Sequence, residues 1–383
     1  MKIFIRNIHL YLSILAGIVV FTTCFTGAIL VFEEELQHTF YPKRYYVAPN
    51  SQQLPMQQLV NTVAKQLPEV KVVGIKQYAS EDRTVEINVV PKKPKSGEKG
   101  TPLLTDKNKQ KGGREKKENN RVIAFVNPYT AEIIAVYKHN ESFFFKVMSL
   151  HRWLLAGDVG KLIVGIATLF FLFILITGIV LWWPKNKQML VQRLKLKVNA
   201  SFKRVNFDWH VVLGFYASIF LFVFAFTGLA WSFQWFNNGI FWVTNSSKEP
   251  TKAPKIELFE PGKNIIIDSV ISVVKKYDSV HYLQITLPKD SLDCFQVSTL
   301  PHNAVHPSAT NSYYLHPKTA QLISCQLYQQ RNLGQQVRAA FKPIHVASYW
   351  GWSSKVIGFL ACIIGASLPI TGTIIWINRL KKQ

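Results

Sequence analysis

The sequence predicts a membrane α-helical protein, in which a four-helix transmembrane bundle made of two tandem halves carries two small periplasmic α+β modules. Three observations support this fold class: four long apolar blocks, a histidine and Thr-Gly pattern that recurs along the chain, and two polar segments that resemble each other. The chain of 383 residues is 48% hydrophobic yet carries a net charge of +23, which is unusual for a soluble domain.

The four apolar blocks are long enough to be transmembrane helices, because about 20 helical residues cross about 30 Å of hydrocarbon. They cover residues 10–32, 162–183, 211–233 and 356–377, and none contains Asp, Glu, Lys or Arg. The first block is too long for a signal peptide and ends in Glu33-Glu34-Glu35 rather than at a small-residue cleavage site. We therefore expect it to be retained as a helix.

Basic residues predict the orientation of the bundle. The segment between the second and third blocks is rich in Lys and Arg and has no acid before Asp208, and both chain ends are basic. The positive-inside rule places these parts in the cytoplasm and both long connections outside, in the periplasm of a Gram-negative cell. The predicted location is the bacterial inner membrane, crossed several times, with both termini cytoplasmic.

Each long connection is expected to fold as a helix followed by strands. "FVNPYTAEII" in the first resembles "YLHPKTAQLI" in the second, and each predicts a hairpin. The lysine-rich insert at 91–120 is expected to be a mobile loop. The predicted boundaries are helix 1 at 1–35, module 1 at 36–141, an interfacial helix and helix 2 at 142–184, a basic cytoplasmic loop at 185–205, helix 3 at 206–235, module 2 at 236–338, and an interfacial segment, helix 4 and a cytoplasmic tail at 339–383.

The recurring pattern pairs a histidine with a later Thr-Gly. Spacings of 17 and 26 residues each occur twice, and the pattern comprises His9 with Thr26-Gly27, His210 with Thr227-Gly228, His151 with Thr177-Gly178, and His345 with Thr371-Gly372. Both repeats begin inside, so we interpret them as parallel repeats. Glycine lets helices approach closely and threonine can return its hydroxyl to a backbone carbonyl, so we expect Thr-Gly to serve helix packing.

The predicted topology places His9 and His210 at the cytoplasmic face and His151 and His345 at the periplasmic face. Histidines that tolerate the headgroup region are the alternative, but four in register in apolar surroundings favour ligands. Imidazole binds copper, zinc or haem iron. Two histidines without a third donor, near many aromatic side chains, favour two b-type haems with two histidines each.

Several cations near these histidines could meet haem propionates, although Lys and Arg are also ordinary at a membrane interface. The candidates are Arg6, Lys203 and Arg204 inside, and Arg152, Lys161 and Lys355 outside. A metal at His302 and His306 is a weaker alternative.

The four cysteines leave one question open. Cys24 and Cys362 lie in apolar blocks and are expected to serve packing, whereas Cys294 and Cys325 lie where a disulfide is allowed. No C-x-x-C motif is present, so iron–sulfur clusters, zinc ribbons and covalent c-type haem lack their usual ligands.

Four stretches carry a family resemblance: "RNIHLYLSILAGIVVFTTCFTGAILVFEEEL", "LHRWLLAGDVGKLIVGIATLFFLFILITGIVLWWPK", "FDWHVVLGFYASIFLFVFAFTGLAWSF" and "IHVASYWGWSSKVIGFLACIIGASLPITGTIIWINR". They resemble the PepSY-associated transmembrane helix family, often described as iron-regulated inner-membrane proteins. The two modules resemble PepSY domains, with Pro-x-Thr-Ala in place of the usual D-P-x-T-G.

The resemblance implies transmembrane electron transfer, since members include haem-containing reductases of ferric siderophores. His9 and His210 would hold an inner haem, and His151 and His345 an outer one. Electrons would pass to a periplasmic ferric chelate from a separate cytoplasmic donor, because no G-x-G-x-x-G motif marks a nucleotide-binding domain in this chain. The stretch "WSFQWFNNGIFWV" could line a site for the chelate or form an aromatic interface belt, and its candidate residues are Trp235, Phe236 and Trp242.

Two alternatives remain at this point. One is a PepSY-based periplasmic binding or regulatory membrane protein without redox activity, in which the histidines would be incidental. The other is a transporter, which four spans without a charged residue in mid-membrane disfavour.

Overall fold

The structure is a computed structural model that describes residues 2–50, 52–92, 122–249, 253–256 and 266–381. It contains two compact units. The helical unit comprises residues 1–33, 143–248 and 333–383, and the sheet unit comprises residues 34–142 and 249–332. Apart from residues 91 and 92, the predicted lysine-rich insert lies outside the described residues.

The helical unit contains four helices that are long and apolar enough to cross a membrane. We call them spans 1 to 4, and they are Lys2–Val31, Gly157–Trp182, Phe202–Ser232 and Trp352–Leu380. Small residues such as Ala16, Ala217 and Ala361 are buried where the helices meet, which permits close approach. Large apolar side chains cover the outer surface instead, and Ile18 is 77% exposed, as lipid contact requires.

Two shorter helices precede spans 2 and 4, and each carries a histidine in its last turn. They are Phe143–Trp153, with His151, and Leu333–His345. Left-handed backbone interrupts the chain after both, at Leu154 and Leu155 before span 2 and at Gly351 before span 4. These breaks separate each histidine-bearing helix from the span that follows. The other helices of this unit are Lys187–Arg193 and Gln234–Val243.

The sheet unit is built on one eight-stranded antiparallel sheet, with strand order β4-β3-β2-β1-β5-β6-β7-β8. The strands are β1 Val70–Tyr78, β2 Val85–Pro91, β3 Val122–Val126, β4 Ile133–Lys138, β5 Val280–Thr286, β6 Phe295–Pro301, β7 Asn311–Leu315 and β8 Leu322–Gln326. The two long connections contribute four strands each, and β1 pairs with β5 to join them. The sequence prediction of two modules did not include this pairing.

Helices Met56–Gln66 and Ile267–Tyr277 pack on the sheet and complete its core. Ile75, Ile285 and Phe295 are fully buried there. Apart from residue 33, the short helices Glu33–Phe40 and Pro42–Tyr45 form the first part of the sheet unit.

All four cysteines are free thiols in the structure. Cys294 is buried, with Sγ 3.5 Å from the carbonyl oxygen of Pro254, and Cys325 is exposed. The structure therefore contains no Cys294–Cys325 disulfide.

Candidate functional site

All four histidines of the recurring pattern contact a threonine of a Thr-Gly pair on another helix. The distances from Nδ1 to Oγ1 are 3.0 Å for His9 and Thr177, 3.0 Å for His151 and Thr26, 2.9 Å for His210 and Thr371, and 3.1 Å for His345 and Thr227. The first two contacts join the helices before residue 200, and the last two join those after it. The predicted hydrogen bond from each threonine hydroxyl to a backbone carbonyl is present, but the sequence did not predict the contact with histidine.

Hydrogen-bond directions define the tautomer of these histidines. The hydroxyl of Thr227 donates to a backbone carbonyl one turn earlier, 2.7 Å from Val223 O, so its oxygen is left to accept. His345 Nδ1 also lies 2.9 Å from the carbonyl oxygen of Phe224, which can only accept. Nδ1 therefore carries the proton, and Nε2 presents a free lone pair.

The other three histidines share this arrangement. Their threonine hydroxyls donate to the carbonyls of Thr22, Phe173 and Ser367, at 2.6, 2.8 and 3.0 Å. The backbone carbonyl three residues before each threonine also lies near the ring and would favour a proton on Nδ1; these carbonyls belong to Ile174 for His9, Thr23 for His151 and Leu368 for His210. All four imidazoles thus present Nε2, as metal-binding histidines do when the other ring nitrogen donates to the protein.

The glycine of each Thr-Gly pair leaves room for the imidazole ring. A Cβ atom placed on the glycine would lie 3.4 Å from Cε1 of the histidine at Gly27, 3.3 Å at Gly178, 3.2 Å at Gly228 and 3.1 Å at Gly372. Three of these distances are shorter than ordinary van der Waals contact. Each Thr-Gly dipeptide therefore positions the imidazole in two ways: the threonine hydroxyl hydrogen-bonds to Nδ1, and the glycine leaves space for Cε1.

The rings of His151 and His345 lie close together, with centroids 6.1 Å apart and planes at 65°. One metal ion held between two imidazoles by bonds of about 2 Å would separate the ring centres by about 6 Å. Burial lowers the pKa of His151 to about 3 and that of His345 to about 4. Both rings are therefore neutral at pH 7, which is the form that binds metal.

The second pair combines His9 with His210, which lies within electrostatic range of it. His210 lies on a π-helical turn, Trp209–Leu213, and such turns occur frequently at functional sites. Buried Asp208 supports this turn, since it pairs with Arg204 at 2.9 Å. Asn206 adds a link between spans by donating to the carbonyl of Thr371.

The cations predicted to meet haem propionates differ in their burial and in their proximity to the histidines. Arg152 lies within electrostatic range of both His151 and His345. Lys355 is buried on span 4, whereas Arg6 and Lys161 are half-buried on spans 1 and 2.

One cation near the His151–His345 pair was missed by the sequence analysis. The guanidinium of Arg338 lies 4.8 Å from the ring centre of Trp231, and that ring lies 5.4 Å from the ring of His345. Arg338 also donates to Asn237 at 2.7 Å. The signal available in the sequence was its position two helical turns before His345.

The predicted aromatic residues lie on helix Gln234–Val243. Trp235 and Trp242 are 60% and 83% exposed, whereas Phe236 packs edge-on against Phe226 at 4.9 Å. His306 is buried and its Nε2 atom bonds to the hydroxyl of Tyr328, whereas His302 is exposed and its ring lies beside that of His281.

Comparison with known proteins agrees with this architecture. The model of the PepSY-associated TM region family matches residues 6–379, which include all four histidines and all but the outermost residues of spans 1 and 4. A search of curated proteins gave no match. The chain is therefore a membrane protein that belongs to the PepSY-associated TM region family.

Proposed function

We propose that this protein is a di-haem electron-transfer protein of the bacterial inner membrane. It would act as an oxidoreductase that passes electrons from a cytoplasmic donor to a periplasmic ferric chelate, such as a ferric siderophore. The observation that carries the proposal is the set of four histidines whose Nδ1 atoms are held by threonine and whose Nε2 atoms are free. The two pairs would lie near opposite faces of the membrane.

The donor set suits b-type haem. Each pair offers two neutral imidazoles, and the described residues contain no group of three or more His, Cys, Asp or Glu that could hold a metal ion. A site with two protein ligands suits a macrocycle that supplies four nitrogens of its own. Bound haem would supply one-electron chemistry at its iron.

The protein's own residues would orient the ligands and set their strength. Threonine accepts the Nδ1 proton at all four histidines, and at His345 the carbonyl of Phe224 accepts it as well. This hydrogen bond makes Nε2 a stronger donor and fixes the ring plane. The apolar spans would exclude water around both histidine pairs. The resulting lower dielectric constant strengthens the electrostatic interaction between the bound group and nearby charges. Arg152, Lys161 and Lys355 at one pair and Arg6 at the other would supply cations for propionate groups.

The chelate would bind near helix Gln234–Val243, where Trp235, Phe236 and Trp242 offer an apolar surface. Ferric iron is the substrate in this proposal. It accepts one electron and becomes Fe(II), a softer ion that oxygen chelators hold less tightly. Iron would thus leave the chelator without any bond in the chelator being broken.

The experiment is an absorption spectrum of the detergent-purified chain before and after dithionite. We expect a sharpened α-band on reduction and two haems per chain. His9→Ala and His151→Ala should each remove one haem, whereas His316→Ala, in a turn of the sheet unit, should remove none. A colourless protein from haem-replete cells would overturn the proposal and favour a PepSY-based binding or regulatory function.

A further inference from the structure

We infer that His281 and His302, in the sheet unit, form a binding site for a divalent transition-metal ion. Among these ions, Cu²⁺ is expected to bind most tightly. Their ring centroids lie 4.2 Å apart, with the planes at 69°. Both side chains are exposed, so the pair is open to ions from solution. This site is separate from the four histidines of the helical unit.

The separation suits two imidazoles bound side by side to one ion. With metal–nitrogen bonds of about 2 Å and a right angle at the ion, ring centres lie about 4.4 Å apart. Cu²⁺ and Ni²⁺ prefer such square geometries with nitrogen ligands, and Cu²⁺ binds most tightly in the divalent series. The open positions on the ion would be taken by water.

A β-bulge brings the two histidines together. Along β5, Val280 pairs with Pro301 and Tyr282 pairs with Leu300, so His281 is the extra residue between them. Bulges commonly redirect a side chain, and this one sets His281 beside the end of β6. There the amide of His302 donates to the carbonyl of Ser279 at 3.0 Å, which fixes the backbone of the second ligand.

The first half of the same sheet offers an internal comparison. Val70 pairs with Pro91 as Val280 pairs with Pro301, so Lys71 and Lys92 correspond to His281 and His302 by count along the strands. Lys71 pairs with Val90, however, and the bulge of β1 lies between Val72 and Gly74, so the bulge at His281 is particular to the second half. Both lysines are exposed, and ammonium groups do not bind metal ions. The first half therefore forms its Val70–Pro91 pair next to two lysines, without a histidine or a bulge at these positions.

The charged residues near His302 do not account for metal binding at this site. His302 lines a surface cavity together with Asp278 and Lys275, which carry opposite charges. One carboxylate oxygen of Asp278 accepts from Thr299, Asn311 and Tyr313 within the fold. Binding therefore depends on the two imidazoles.

The test is titration of the full-length purified protein with Cu²⁺ alone, followed by calorimetry and by the Cu²⁺ electron paramagnetic resonance signal. We expect a site with nitrogen hyperfine splitting whose affinity falls more than about tenfold in His281→Ala and in His302→Ala. Zn²⁺ should compete more weakly. The matched control is Lys71→Ala with Lys92→Ala, which should leave this site unchanged.

Two outcomes would overturn the inference: unchanged Cu²⁺ affinity in both histidine variants, or loss of affinity in the lysine control as well. Haem content, read from the same samples at its own absorption band, is expected to be the same in all variants. A failure of the haem proposal would therefore be visible separately from a failure of this one.

Discussion

His345 donates its Nδ1 proton toward the hydroxyl of Thr227, 3.1 Å away on span 3. The hydroxyl in turn donates a hydrogen bond to the carbonyl oxygen of Val223, 2.7 Å away. This chain of hydrogen bonds fixes one imidazole tautomer inside an apolar bundle. The same histidine–threonine–carbonyl hydrogen bonds occur at the other three histidines, so this arrangement is a repeated feature of the fold.

Removing this hydroxyl should weaken one haem site at a time. We expect Thr227→Val to affect the His151–His345 pair and Thr371→Val to affect the His9–His210 pair, each lowering haem affinity by about tenfold. Thr→Ser at the same positions keeps the acceptor and should retain both haems. Haem content and the low-spin resonance of the oxidised protein measure the effect; equal loss in the Val and Ser variants would contradict it.

A methyl group at the neighbouring glycine should displace the ring. In Gly228→Ala and Gly372→Ala the new Cβ would lie 3.2 and 3.1 Å from Cε1 of His345 and His210, so the imidazole must shift by a few tenths of an ångström. We expect each variant to alter or remove one of two steps in a redox titration. The control is Gly239→Ala, where a Cβ meets nothing within 4 Å. If Gly239→Ala changes the redox titration as much as Gly228→Ala and Gly372→Ala do, a steric clash with the imidazole does not explain their effect.

The spans could be predicted from sequence because each contains a local run of about twenty apolar residues without Asp, Glu, Lys or Arg. The histidine contacts could not, because they join distant segments: Thr26 and His151 are 125 residues apart. Matching spacings of histidine and Thr-Gly showed that both residue types recur together, but not that they touch. The repeat thus indicated which residues matter and left open what they do.

The pairing of β1 with β5 was beyond sequence reasoning for a related reason. Each four-stranded set has its own helix and its own hairpins, so each is locally consistent as a separate module. The edge contact, in which Tyr78 lies opposite Tyr282, depends on two strands that are far apart in the chain. Arg338 was overlooked because an arginine on an amphipathic helix is ordinary until Trp231 and His345 are seen beside it.

Arg338 should raise the reduction potential of the His151–His345 site. Its positive charge disfavours the oxidised, more positive iron, so Arg338→Gln should lower that potential. The distances of 4.8 and 5.4 Å through Trp231 place the guanidinium within about 13 Å of a metal bound by His345. One charge at about 13 Å and an effective dielectric of about 20 gives a shift of roughly 55 mV. Arg338→Lys keeps the charge and should shift the potential less. A redox titration checks both, and the potential of the His9–His210 site serves as the internal reference.

Asp268 should stabilise a helix that lies far from it in sequence. Its carboxylate accepts from the amides of Met56 and Gln57, at 2.7 and 3.1 Å, at the N-terminus of helix Met56–Gln66. That helix begins after Pro55 with no side-chain cap of its own. We expect Asp268→Ala to cost about 1–2 kcal/mol, because it removes both acceptors and a negative charge at the positive end of the helix dipole.

Hydrogen exchange of the full-length protein measures this cost locally, without requiring the two units to unfold together. Amides of helix Met56–Gln66 should exchange about 5–30-fold faster in Asp268→Ala, the factor that 1–2 kcal/mol gives. Asp268→Asn keeps one acceptor oxygen, so its exchange rates should lie between those of the wild type and those of Asp268→Ala. Glu132→Ala, at an exposed turn position, is the matched loss of one carboxylate. Equal acceleration in that variant would assign the effect to net charge, and unchanged exchange in Asp268→Ala would show that the carboxylate does not cap the helix.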